Sequence, residues 1–189
     1  MRRLFFLLAM PCMLAMPFLT AGKANAQVSL EIQGHSSIAL EDLGFLVDGT
    51  GFGGLAAVAY PLVSLDMVDL VGKAGFNHYG TRKGELLIEG DIVIDIDSAY
   101  QGIPILGGVR VYYGESRFFY IEGLLGVEIK RREDFDNYDL MVKSYATDPL
   151  GSIGVGINAW RDFALVASFG MSNDLWRYVN LGVSYRFGG

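Results

Sequence analysis

Past residue 26 the chain is oily, yet it holds no apolar run of the ~18 residues that a membrane-spanning helix needs. Its mean hydropathy is +0.32, and the apolar residues behind that value recur at every second position. In FFYIEGLLGVEIK (Phe118–Lys130), Phe119, Ile121, Gly123, Leu125, Val127 and Ile129 share one parity, while Tyr120, Glu122, Gly126, Glu128 and Lys130 share the other. Successive side chains of a strand point to opposite faces, so the segment reads as a strand with one apolar and one polar side. The pattern excludes a helical bundle and limits the fold to sheets whose two faces meet different surroundings.

Eight segments carry this pattern: Val28–Ile38, Gly51–Leu62, Val68–Tyr79, Ile103–Tyr113, Phe118–Lys130, Leu150–Trp160, Phe163–Ser172 and Tyr178–Phe187. Most have about the 9–11 residues of a tilted strand that crosses a bilayer. Their connections alternate in length. Val63–Met67, Gly114–Arg117 and Arg161–Asp162 are brief, whereas Ala39–Thr50, Gly80–Tyr100 and Arg131–Pro149 are long and polar, before a short final link at Asn173–Arg177. Brief turns on one side and long loops on the other predict an all-β, eight-stranded antiparallel transmembrane up-and-down barrel. LLIEGDIVIDID (residues 86–97) also alternates. A ninth strand would be odd in number and would put the termini on opposite sides, so an extension of the fourth strand or a small ribbon above the bilayer is expected.

The amino-terminal segment places Arg2 and Arg3 before the apolar stretch Leu4–Leu19 and the small-residue site Ala24-Asn25-Ala26. That order predicts a secretory signal peptide over residues 1–26, cleaved after Ala26. Two prolines in the stretch disfavour a membrane anchor, and Pro11 just before Cys12 disfavours a lipoprotein signal. The expected mature chain, residues 27–189, has 163 residues, one domain's length. It holds no cysteine, which excludes disulfides and thiolate chemistry. Without Arg2, Arg3 and Lys23, twelve basic residues face twenty-one acidic ones, a formal charge of −9. Nucleic-acid binding needs the opposite, a basic footprint.

The charged faces are also rich in glycine and small residues, as the crowded interior of a narrow barrel requires. Lys73, Arg110, Glu122, Glu128, Lys130 and Arg186 are expected to face this lumen. A charge stranded there costs several kcal/mol, so they are expected to pair in a ladder that plugs the barrel. Aromatics near strand ends, Tyr60, Tyr79, Tyr112, Tyr113, Phe118, Trp160, Phe163 and Tyr185, are expected in interfacial girdles. In the last strand Val179, Leu181, Val183, Tyr185 and Phe187 should face lipid, and Tyr178, Asn180, Gly182, Ser184 and Arg186 the lumen.

The paired strands IPILGGVRVYYGESRFFYIEGLLGVEI (Ile103–Ile129), with the terminal VNLGVSYRF, resemble the small outer-membrane β-barrel family of OmpX, opacity-protein and OmpA transmembrane-domain type. The resemblance implies a barrel in the bacterial outer membrane, surrounded by lipid and lipopolysaccharide, whose exposed loops give each member its role. It also implies a closing aromatic residue read by the barrel-assembly machinery. Phe187 fits that place, although Gly188 and Gly189 follow it.

Three sets of residues invite a chemical reading. Gly49, Gly51 and Gly54 match G-x-G-x-x-G, but LAAVAYPL follows, with no amphipathic helix to complete a nucleotide site. His35 and Ser37 share a strand face, and a His and Ser facing lipid on one strand resemble the pair of lipid A deacylase barrels. Ser36 points the other way. No acid is spaced to orient the histidine, which nucleophilic catalysis requires. His78 has no His or Cys near it for a metal. The carboxylates of DIVIDID and of REDFDNYD (residues 132–139) lack the ordered calcium-loop pattern and read as solvated acidic loops. Divalent cations that bridge lipopolysaccharide phosphates are the one ionic partner such loops suit.

No cofactor or metal is expected. The reading is a non-enzymatic outer-membrane barrel with a structural or adhesive role through its long loops, whose extracellular partner is unnamed. Two rivals stand beside it: a lipid-modifying barrel enzyme, and a soluble periplasmic barrel with a hollow apolar interior for a small ligand.

Overall fold

The computed structural model describes residues 28–40, 49–62, 65, 67–88, 92–114, 117–135, 141–172 and 177–187, and the side chains of these outside 81–98 and 132–144. The expected signal segment and Gly188-Gly189 lie outside the described residues. Eight strands are formed: β1 (Ser29–Leu40), β2 (Thr50–Pro61), β3 (Val68–Ile88), β4 (Ile92–Tyr113), β5 (Phe119–Phe135), β6 (Met141–Asn158), β7 (Phe163–Ser172) and β8 (Arg177–Phe187). Each pairs antiparallel with its neighbour in sequence. β8 returns to β1, from Leu30 opposite Phe187 to Leu40 opposite Arg177, so the sheet closes into a barrel without a free edge in its body.

Inward residues alternate with outward ones along every strand, and the apolar face is the outer one. Ile32, Val109, Leu125, Ile153, Leu165 and Leu181 are all exposed, Leu125 by 76%. A water-soluble barrel would bury these and expose its charges. Here Arg110 is 1% exposed and Glu128 is fully buried. This inversion overturns the soluble-barrel reading, because the interior is polar and filled.

Glycine on the inner face makes room for long side chains from the next strand. Gly156 lies opposite Tyr120 in register, and a Cβ there would come within 2.0 Å of the tyrosine Cζ. Gly170 lies opposite Tyr178 in the same way, with 2.4 Å to its Cζ. The short turn between β4 and β5 depends on glycine differently. Gly114 has φ +83° and Arg117 has φ +52°, and the Arg117 N–H donates to the Gly114 carbonyl at 3.0 Å.

Two of the expected long loops are sheet. Gly80–Tyr100 continues β3 to Ile88 and begins β4 at Ile92, and Arg131–Pro149 continues β5 to Phe135 and begins β6 at Met141. Residues 86–97 are therefore divided between two strands of one hairpin, Leu86 facing Ile94 and Ile88 facing Ile92. The register shifts once, between Tyr79 and Arg82, where the hairpin leaves the barrel. The acidic segment 132–139 likewise starts as strand, with residues 132–135 in β5. Polar composition marked these segments as loops, but backbone pairing across a hairpin does not require a continuous apolar side. β3 to β6 thus project as a four-stranded sheet on the side opposite the termini.

Candidate functional site

Near the termini the lumen is crossed by a continuous ionic network. The Arg110 guanidinium grips the Glu31 carboxylate with both terminal nitrogens, at 2.7 and 3.0 Å. It also donates to Glu122 at 3.1 and 3.2 Å and lies 4.2 Å over the Tyr120 ring. Lys73 donates to the other Glu122 oxygen. Arg186 donates to Glu31 at 3.0 Å and to the Tyr112 hydroxyl at 3.0 Å, and that hydroxyl donates to Asp69 at 2.9 Å. Five strands, β1, β3, β4, β5 and β8, supply these groups. Each buried carboxylate meets at least one cation or hydroxyl donor, which offsets the several kcal/mol that desolvation costs an ion.

Toward the projecting sheet the chemistry changes. His35 Nε2 and Asn77 Oδ1 are 2.8 Å apart, and the Ser37 hydroxyl donates to Asn180 at 2.6 Å. Lys130 pairs with Asp148 at 2.7 Å and donates to Ser172 at 2.8 Å. Glu128 is buried beside Tyr100, Asn77 and Lys130. The Tyr79 and Tyr100 rings pack at 5.6 Å, in one buried cluster with Tyr178, Leu106, Leu124 and Leu150. At the mouth near the termini, a cavity bordered by Glu31, Asn158 and Arg186 has about 10 Å³. One water needs roughly that much. The inward side chains of the described lumen, Arg110, Glu122, Glu128 and Lys130 among them, are buried.

All six expected lumen residues point inward, Arg186 at the mouth and the others buried. Sequence reasoning missed Glu31 and Asp69. Glu31 joins Arg110 to Arg186, and its parity with His35 and Ser37 in SLEIQGHSS was the available signal. The His35–Ser37 pair is not assembled for catalysis. Both side chains face the lumen instead of lipid, and Ser37 spends its proton on Asn180. Gly51 and Gly54 sit inside β2, and Gly51 backs onto the Tyr79 ring, so the glycine motif opens a strand instead of a phosphate loop. Among the described residues, no three His, Cys, Asp or Glu side chains are grouped to hold a metal.

The outer face carries the membrane belt. The climb from Val68 to His78 on β3 covers ten residues, which at ~3.3 Å each and a tilt of ~40° rises ~25 Å, the height of an outer-membrane apolar band. Tyr113, Phe118, Trp160 and Phe163 form its girdle near the termini, with Trp160 79% exposed. Tyr79 and Tyr112 leave that expected set: both are buried in the lumen, because their parity is that of Lys73 and Arg110. At the other margin Phe52, Phe76 and Tyr145 are exposed and were not foreseen.

In three dimensions the barrel is similar to solved outer-membrane proteins. It matches the crystal structure of Ail, the attachment invasion locus protein of Yersinia pestis, with 21% identity and a TM-score of 0.59 over 87% of this chain and 100% of that one. Ail has also been solved in complex with the heparin analogue sucrose octasulfate. The N-terminal β-barrel domain of Pseudomonas aeruginosa OprF matches with 16% identity and a TM-score of 0.51, over 86% of this chain and 100% of that domain. At these identities the likeness shows the fold, an eight-stranded transmembrane barrel. No protein-family model matches the sequence, and no curated protein does.

Proposed function

We propose that this chain is a non-enzymatic protein of the bacterial outer membrane that meets an extracellular partner through its projecting sheet. The observation that carries the reading is the continuation of β3, β4, β5 and β6 beyond the barrel body, on the side opposite the termini. Pairing of β2 with β3 ends at Gly51–Tyr79, and pairing of β6 with β7 ends at Leu150–Ser172. Past those points, among the described residues, the sheet has two edges with unpaired backbone groups, the kind of surface that accepts a partner.

Charge narrows the partner. Residues 80–100 hold five acidic and two basic side chains, and residues 131–149 hold five and three. This balance opposes a polysulfated glycan like Ail's ligand and favours a cationic protein surface. Bacteria that display the full chain should adhere to epithelial monolayers, more weakly at high salt. Deletion of residues 82–98 should abolish the gain while the barrel still shows heat-modifiable migration on a gel. Adherence unchanged by the deletion would sink the reading.

Three subsidiary proposals belong to it. Cleavage after Ala26 makes Gln27 the first residue of the mature chain, which intact-mass measurement checks. Lys73, Arg110, Glu122, Glu128, Lys130 and Arg186 serve structure as a plug, so planar-bilayer recordings should show no large, steady conductance. Phe187, exposed and stacked edge-on against Tyr185 at 4.7 Å, is the assembly signal. Phe187→Ala should then slow insertion by the assembly machinery without changing the stability of the inserted barrel.

A further inference from the structure

Charge is shared unequally along the lumen. Near the termini the inward carboxylates Glu31, Asp69 and Glu122 have Lys73, Arg110 and Arg186 among them. Toward the projecting sheet, with His35 counted neutral, Lys130 is the one inward cation among the described residues, and it meets two carboxylates, Glu128 and Asp148. Its ammonium lies 2.7 Å from Asp148 and donates to Ser172 at 2.8 Å. One carboxylate is therefore in excess.

That excess falls on Glu128. The residue is fully buried, and neither of its carboxylate oxygens has a hydrogen-bond partner of good geometry. The same holds for the Asn77 amide nitrogen and the Tyr79 hydroxyl, on residues that are also buried. These three side chains form one group with Tyr100 and Tyr178. Gly102 keeps space in front of the carboxylate. A Cβ there would overlap Glu128 Oε1 and stand 3.1 Å from the Tyr100 hydroxyl.

A buried ionised carboxylate persists only with a compensating charge beside it. The atoms around Glu128 select the kind of charge. Phenol hydroxyls and one carboxylate are hard oxygen ligands, which do not suit a soft transition metal. A divalent cation would carry one charge more than the excess, and it draws on a larger set of carboxylate and carbonyl oxygens. An alkali ion matches both the charge and the ligands. We infer that this part of the lumen binds a single monovalent cation, sodium, with Glu128 as its charged ligand and the Tyr79 hydroxyl oxygen as a neutral one.

The site lies at the root of the projecting sheet. Tyr79 is paired with Gly51 where the pairing of β2 with β3 ends, and Tyr100 faces it on β4. A cation held by Glu128 of β5 and Tyr79 of β3 ties those strands together where they leave the barrel. It does so whether or not the sheet meets a partner.

The test follows urea unfolding of the protein, purified from membranes into zwitterionic micelles, at fixed pH and ionic strength. Sodium chloride is replaced stepwise by choline chloride, whose cation is too bulky for the packed lumen, and heat-modifiable migration reads the folded fraction. Binding of one ion should lower the unfolding equilibrium constant about tenfold for each tenfold rise in sodium above its dissociation constant. Glu128→Gln keeps the shape and removes the charge, and Gly102→Ala puts a methyl group into the site. Both should unfold alike in the two salts. Tyr79→Phe should need about tenfold more sodium for the same shift, the effect of losing one neutral ligand. Arg161→Ala, in the β6–β7 turn at the other mouth, should keep the full sodium dependence. Any one of the three site variants that folds suffices. An unfolding constant that does not change when sodium replaces choline overturns the inference, and would mean that a proton neutralises Glu128 instead. Equal sodium dependence in a folded Glu128→Gln or Gly102→Ala protein overturns it too.

Discussion

Near the termini, Arg110 holds Glu31 and Glu122 and stacks on Tyr120; near the projecting sheet, Tyr79, Tyr100 and Tyr178 crowd together above Leu106, Leu124 and Leu150. Both halves of the lumen pack buried side chains, but by different means. The first neutralises buried charge with opposite charge from other strands, so each group depends on partners distant in sequence. The second fills space with rings and leucines, and its polar contacts include smaller sets, such as Ser37 with Asn180, His35 with Asn77, and Lys130 with Asp148 and Ser172. A continuous charge network fails as a unit, whereas small separate sets fail one at a time. The terminal half should therefore be the brittle one.

The sharpest break is Arg110→Ala. It leaves the buried carboxylates Glu31 and Glu122 with Arg186 and Lys73 alone, one cation short, and should cost about 3–5 kcal/mol. Urea unfolding of the protein in micelles, followed by heat-modifiable migration, reads the loss as a lower midpoint. Arg110→Met with Glu31→Gln removes one charge of each sign, keeps the Lys73–Glu122 pair and leaves Arg186 at the mouth on the Tyr112 hydroxyl, and should recover much of the loss. An equally unstable double variant would mean that the guanidinium matters for its packing on Tyr120 rather than for its charge.

Next in size is Gly156→Leu. The side chain must displace Tyr120, the ring on which Arg110 rests, and overpacking of this kind costs about 1–3 kcal/mol. The effect should shrink in a Tyr120→Ala background, since the two residues oppose each other in register. Additive losses would show that the glycine serves the strand backbone instead of the ring.

The barrel was legible because alternation is local: IEGLLGVEI announces its two faces without reference to any other strand. The inward direction of Lys73 and Arg110 followed from the same parity. Their partners did not. Which carboxylate reaches Arg110 is decided by the register of β1, β4 and β5, and Glu31 lies 79 positions away from it in the chain. Leu124-Leu125 shows a second limit, since a leucine pair puts one member on each face and nothing local marks the inward one as core. Tyr79 and Tyr112 were assigned to the membrane margin by type, although their parity placed them inside. The projecting sheet was harder to read for another reason: residues 86–97 alternate, but residues 80–85 and 131–149 carry no uniform apolar side.

In the half near the projecting sheet, Ser37→Ala should be milder. It leaves Asn180 without its donor and should cost about 1 kcal/mol, with no effect on the Arg110 network. The double variant Ser37→Ala/Arg110→Ala should then show the sum of its parts. A coupling well above about 0.5 kcal/mol would erase the division between the halves.

The smallest effect lies at the rim of the terminal half. Arg117 is 3.6 Å from Asp69, but its side chain is 37% exposed while that of Asp69 is 5% exposed. Water already solvates the guanidinium, so Arg117→Ala should cost under about 1 kcal/mol and lose most of that in high salt. Asp69 keeps the Tyr112 hydroxyl at 2.9 Å whichever residue stands at 117. If Arg117→Ala instead matched Arg110→Ala in its midpoint shift, the network would have to extend through the mouth of the barrel, and burial would no longer be what separates its strong pairs from its weak ones.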